Sequence, residues 1–147
     1  MLELIINNKK YWPFIKYAMS TCNSFSVVFE KDYHDNSKYI LQDFYSLINE
    51  FVINKKSIGQ HPDTGTHFEN CDLIKIQCCE TTRRILMDAT QIFEWNGNEC
   101  PEELCFYRDD EKWFVSVSHE RFLFIYNESK DDIDFLNKER IEYNFVI

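Results

Sequence analysis

The stretch from Cys100 to Tyr126 constrains the fold more than any other. It holds three short runs, Leu104 to Arg108, Trp113 to Ser118 and Phe122 to Tyr126, separated by the polar turns Asp109-Asp110-Glu111 and His119-Glu120. Runs of strand length, rich in aromatic and β-branched residues and bounded by turn residues, read as β-strands. Strands joined by so few residues have to run antiparallel. Phe114, Ser116 and Ser118 alternate with Trp113, Val115 and Val117, the period of a sheet with one solvated face. Phe122 to Tyr126 is apolar throughout and predicts a central strand covered on both faces.

The rest of the chain adds helices to that sheet. Trp12 to Thr21 reads as a helix with Pro13 in its first turn, where a missing N–H costs nothing. Phe25 to Lys31 reads as a strand and Asp32 to Ser37 as a polar turn. Lys38 to Glu50 predicts a second helix, with Ile40, Leu41, Phe44, Leu47, Ile48 and Phe51 at the helical period. Ser57 to His67 holds two of the three glycines and predicts a surface loop. Cys71 to Cys79 reads as a buried strand. Thr81 to Phe93 reads as a helix capped by Thr81 and stopped at Asn96-Gly97-Asn98. Ser129 followed by Asp132 is a capping-box pattern that opens a last helix, and Ile141 to Ile147 alternates as a last strand. Together these predict an α+β single domain over residues 1–147, with an antiparallel or mixed sheet of about six strands and about four helices.

Charge narrows the function. The net charge is −9 and the isoelectric point about 4.9. Binding nucleic acid requires Lys and Arg to displace phosphate counterions, so this balance argues against it. Repulsion also disfavours an anionic membrane surface, and no run approaches the roughly 18 apolar residues of a spanning helix. The charge suits a basic protein partner. Leu2-Glu3-Leu4-Ile5-Ile6 is too short, and too acidic, for a signal h-region. The six cysteines therefore read as reduced thiols of a cytoplasmic protein.

Chemical motifs are sparse. His61, His67 and Cys71, with Cys78 or Cys79, suggest a zinc site, but their spacing matches neither Cys-x2–4-Cys nor His-x3–5-His. Ser118-His119-Glu120 supplies the residue types of a triad, yet adjacent side chains diverge. Three glycines leave no room for a phosphate-binding loop. No catalytic, cofactor or metal residues are therefore assigned. The carboxylates Glu102, Glu103, Asp109, Asp110, Glu111, Asp131 and Asp132 sit at predicted turns and a helix start, and are the candidate contacts for a basic partner.

The segment Pro101-Glu102-Glu103-Leu104-Cys105-Phe106-Tyr107-Arg108-Asp109, then Trp113 to Glu120, and later Asp132-Ile133-Asp134-Phe135-Leu136, resembles a family of small uncharacterised proteins of Bacillus-type (Firmicutes) bacteria. These are often labelled "stage III sporulation protein AH". The resemblance implies a sporulation-associated accessory role and supplies no catalytic residues. In size and charge the chain is also similar to bacterial toxin immunity proteins. The reading that follows is a non-catalytic, cytoplasmic protein-binding module, monomeric or homodimeric, neutralising a basic toxin. The alternatives are the sporulation role, or a metal-dependent hydrolase built on His61 and His67.

Overall fold

The computed structural model describes residues 1–30, 44–97 and 100–146. The expected turn at 32–37, the part of the second helix holding Ile40 and Leu41, and Asn98 lie outside them. The described strands are β1 (Leu2–Ile5), β2 (Ser24–Glu30), β3 (Val52–Gln60), β4 (His67–Gln77), β5 (Glu102–Arg108), β6 (Glu111–Val117), β7 (Phe122–Ile125) and β8 (Glu142–Phe145). They form one eight-stranded sheet in the order β3-β4-β2-β5-β6-β7-β1-β8. Every pairing is antiparallel. The described α-helices are α1 (Tyr11–Thr21), α2 (Phe44–Ile48), α3 (Glu80–Leu86) and α4 (Lys130–Glu139). The α+β class and four helices match the sequence; the sheet has two strands more than expected.

Both extra strands lack a legible period. β1 is four residues long and slots between β7 and β8, with Leu2 and Leu4 buried and Ile5 exposed. β3 is an edge strand whose residues Asn54, Lys55, Lys56 and Ser57 are exposed, as edges exposed to water tend to be. The segment expected to be a loop from Ser57 to His67 is thus mostly hairpin: β3 runs to Gln60, β4 starts at His67, and only 61–66 turn.

The helices cover one face of the sheet. Phe14, Ile15 and Ala18 of α1, Phe44 and Ile48 of α2, Leu86 of α3 and Leu136 of α4 share one core with Phe25, Ile74, Phe106, Phe114 and Ile125 of the strands. Each such side chain removed from water contributes roughly 1.5–3 kcal/mol. α3 ends earlier than the expected Phe93. Tyr11 donates to the Leu86 carbonyl at 2.7 Å, and the Trp12 indole donates to the carbonyls of Met87 and Ala89 at 3.0 and 2.9 Å. Aromatic donors from α1 thus satisfy carbonyls at and beyond the end of α3. Ile92–Glu94 then forms a separate 3-10 turn.

The alternation expected in β6 fails at one place. Phe106 pairs with Phe114 but Tyr107 pairs with Lys112, so Trp113 is an extra residue in a β-bulge. Trp113 and Phe114 therefore both enter the helix-side core, where Phe14 meets their rings at 6.0 and 4.8 Å. β7 is not covered on both faces as its composition suggested. Leu123 and Ile125 are buried under the helices, while Phe122 is 41% exposed on the other side.

One buried carboxylate ties these elements together. Asp132 is 1% exposed and sits at the third position of α4, in the capping box expected from Ser129. Its oxygens accept from both terminal nitrogens of Arg108 at 3.0 and 2.9 Å, from Trp113 Nε1 at 3.0 Å, from Tyr17 Oη at 2.7 Å and from the Ser129 amide at 2.9 Å. The Arg108 guanidinium also lies 4.1 Å over the Trp113 ring. Burial alone would raise the Asp132 pKa; the donors, Arg108 foremost, overcome it and bring it down to about 2. A carboxylate with a depressed folded pKa stabilises fully above its unfolded value, near pH 4, and loses that contribution as pH falls toward 2. Asp132→Ala is expected to lower the unfolding free energy by about 3 kcal/mol, because it strands the Arg108 charge. Asp132→Asn is expected to flatten the pH 4 to 2 limb; urea titrations across that range check both.

Candidate functional site

The face of the sheet opposite the described helices is partly covered by the chain's own hairpin tip. Residues 61–66 turn tightly: the His61 amide donates to the Thr66 carbonyl at 2.9 Å and the Gly65 amide to the His61 carbonyl at 3.0 Å. Gly65 has φ +77°, a conformation that suits glycine. His61 organises the turn, since its Nδ1 accepts from the amides of Asp63 and Thr64 at 3.1 and 3.3 Å. That role requires a neutral ring protonated on Nε2. Burial keeps the ring neutral by lowering its pKa to about 4. Nε2 itself is buried and has no hydrogen-bond partner among the described residues.

From this turn three side chains reach β5. Thr64 and Thr66 each donate to one oxygen of Glu103 at 2.6 Å. Tyr107 donates to Asp63 at 2.7 Å and shares a 2.9 Å hydrogen bond with Ser26. Glu103 is aimed at the tip by a second bulge: Ser26 pairs with Cys105 and Val28 with Glu102, which leaves an extra residue in β5. Glu103 takes a left-handed conformation there, with φ +55°. Its side chain is fully buried, and desolvation raises its pKa against the opposing effect of the two threonines. The threonines occupy both carboxylate oxygens and the amides occupy His61 Nδ1. The arrangement latches the hairpin tip onto the sheet.

The second cluster is the acidic end of β5 and β6. Asp109 and Asp110 form a two-residue turn with φ +50° and +67°, the primed geometry that antiparallel hairpins favour and Asp tolerates. The Asp109 amide donates to Asn23 Oδ1 at 2.9 Å, which fixes the turn. The Asp110 side chain is 91% exposed and lies 3.0 Å from Lys75 Nζ. Glu111 and Asp131 are exposed. The Arg108–Asp132 pair joins the residue before this turn to the residue after Asp131, so the turn and the first turn of α4 stand at one end of the sheet. Beside the turn lies a cleft of about 340 Å³, lined by Arg108, Asp109, Glu111, Lys112, Trp113, Tyr126 and Asn127. Lys112 Nζ lies 4.4 Å over the Tyr126 ring.

The seven carboxylates expected to meet a partner therefore separate. Asp109, Asp110, Glu111 and Asp131 face solvent at one end. Glu103 and Asp132 are buried and serve the latch and the capping hub. Glu102 is 14% exposed and pairs with His119 Nε2. The sequence reading missed Arg108, whose role depends on a partner 24 residues away. It also missed Thr64 and Thr66, which lie 39 and 37 residues from Glu103.

The histidines and thiols do not converge. Among the described residues no three His, Cys, Asp or Glu side chains gather where they could hold a metal ion. His61 is buried and His67 exposed. None of the six cysteines is in a disulfide. Ser118 donates to the Trp95 carbonyl and His119 turns to Glu102, so the Ser118-His119-Glu120 side chains diverge as expected. Among the described residues no helix is long and apolar enough to cross a membrane.

Removing the latch acceptor with Glu103→Ala is expected to cost about 1–3 kcal/mol, since it takes the carboxylate acceptor from both threonine hydroxyls and leaves them only their mutual contact. It should also raise hydrogen exchange across 61–66 while leaving the helix-side core protected. The His61 contribution is present above its ordinary value near pH 6.5 and is lost as pH falls toward 4. Exchange protection of the Asp63 and Thr64 amides, corrected for intrinsic rate, is expected to drop over that window; NMR at fixed pH steps checks it.

Against models of protein families, curated proteins and solved structures alike, the chain has no match.

Proposed function

We propose that this chain is a non-catalytic protein-binding module whose acidic end engages a basic partner, most concretely as an immunity-type inhibitor covering the basic site of a bacterial toxin. The observation that carries this reading is the cleft beside the β5–β6 turn. Exposed Asp109 and Glu111 flank it together with Arg108 and Lys112, and the half-buried Tyr126 ring gives it an aromatic surface. A lysine or arginine side chain entering there meets carboxylates at the rim and an apolar surface for its stem. The acids are held in place beforehand, by the Asn23 contact on the turn and by the Arg108–Asp132 pair beneath it. Such preorganisation lowers the ordering cost of binding. The overall charge of −9 adds long-range attraction that speeds encounter with a basic protein.

The test is capture from the native host with immobilised protein, followed by kinetics on the captured partner. A basic protein bound stoichiometrically and released by salt is the expected result. The double neutralisation Asp109→Asn with Asp110→Asn, which keeps residues that tolerate the left-handed turn, is expected to slow association several-fold at low salt and to flatten the salt dependence. Equal association rates and salt slopes for the two proteins would sink the assignment.

A further inference from the structure

At the opposite end of β7 the sheet opens into a groove of about 800 Å³. Its origin lies in the strand register. β1 pairs with β7 only at Leu2↔Ile125 and Glu3↔Phe124, although β1 continues to Ile5 along β8 and β7 begins at Phe122. The two strands part over those residues, and the groove lies between them. Its floor includes buried Leu4 and Leu123, while Ile5 and Phe122 stand 58% and 41% exposed. Solvated side chains of that size on a folded surface mark contact sites when they share a concavity.

The charge of the groove opposes that of the chain. Arg121 and Lys9 line it against a single acid, Glu3, and among the described residues neither cation makes an ion pair. The Arg121 guanidinium lies flat over the Phe93 ring at 4.1 Å, and Arg121 takes φ +59° in the turn before β7. In a chain of net charge −9, two cations without ionic partners beside exposed Ile5 and Phe122 complement an apolar segment that carries carboxylates. Gln91 and Asn7, also in the lining, supply amide donors and acceptors suited to a peptide backbone.

We infer that this groove binds an extended segment of another protein in which apolar side chains alternate with acidic ones, the apolar side chains seating on Ile5 and Phe122 and a carboxylate on Arg121. The surface is separate from the acidic end, and the inference does not depend on the proposed inhibitor role.

The probe is a fluorescein-labelled peptide, Asp-Leu-Asp-Phe-Asp-Leu, titrated with the full chain and compared with its Asn-for-Asp and Lys-for-Asp counterparts. Saturable anisotropy is expected for the acidic peptide, at least tenfold weaker for the other two, with NMR shifts confined to the groove residues. Arg121→Glu is expected to weaken binding at least tenfold. Arg121→Gly, which retains the left-handed backbone, is expected to do so with an unchanged thermal midpoint. Several results would overturn the inference: no saturation, equal binding of the three peptides, or shifts centred elsewhere. Self-association through the groove in sedimentation runs without peptide would also overturn it, as would laurate reproducing the shifts with the peptide silent.

Discussion

Five hydrogen bonds converge on the carboxylate of Asp132, from α1, α4, β5 and β6. An isolated charge at 1% exposure would be too costly to bury, so the surrounding elements hold it only in an arrangement that satisfies both oxygens. The constraint propagates. Trp113 reaches Asp132 because the β6 bulge places it on the helix side, and the same bulge puts Phe114 under Phe14. Tyr17 reaches it from α1 and stacks on Phe135 of α4 at 3.9 Å. The helix layer and the central hairpin are thereby set relative to each other by one polar group.

The opposite face is governed by a different device. Among the described residues no helix packs there, and the β3–β4 hairpin bends its own tip over β5. Glu103 leaves the regular strand conformation to meet that tip, a local cost that persists only when neighbouring groups over-determine it. Thr64, Thr66, Asp63 and Tyr107 do so together. Cys105 and Val115 are consequently buried on a face that would otherwise be open, while the outer part around Phe122, Phe124 and Ile5 stays partly exposed.

Strand β7 spans two surfaces of unlike character. Just past one end, Tyr126 lines the cleft; at the other, Phe122 lines the groove that carries Arg121 and Lys9. The rings of Phe122, Phe124 and Tyr126 follow one another at 5.9 and 6.4 Å along it. In a chain that is acidic by composition, an aromatic strip thus runs from a cleft lined by both acids and bases to a groove in which cations outnumber acids.

The α+β class, the central hairpins, the Ser129 cap and the exposed Asp109-Asp110-Glu111 turn were legible in the sequence, because turn chemistry, capping and strand propensity act over a few residues. β1 and β3 were not: one is too short and the other too polar to display a period. The fates of Glu103 and Asp132 were equally hidden. Each looks like a solvated acid beside another acid, and each is buried by partners distant in the chain, Thr64 and Thr66 for one, Arg108 and Tyr17 for the other. The sequence by itself determined the strands and helices that local turn, cap and period signals mark, and that the chain is acidic. Only the tertiary structure decided which acids remain on that surface, because burying a carboxylate depends on donors that long-range strand pairing and helix docking bring within hydrogen-bond reach.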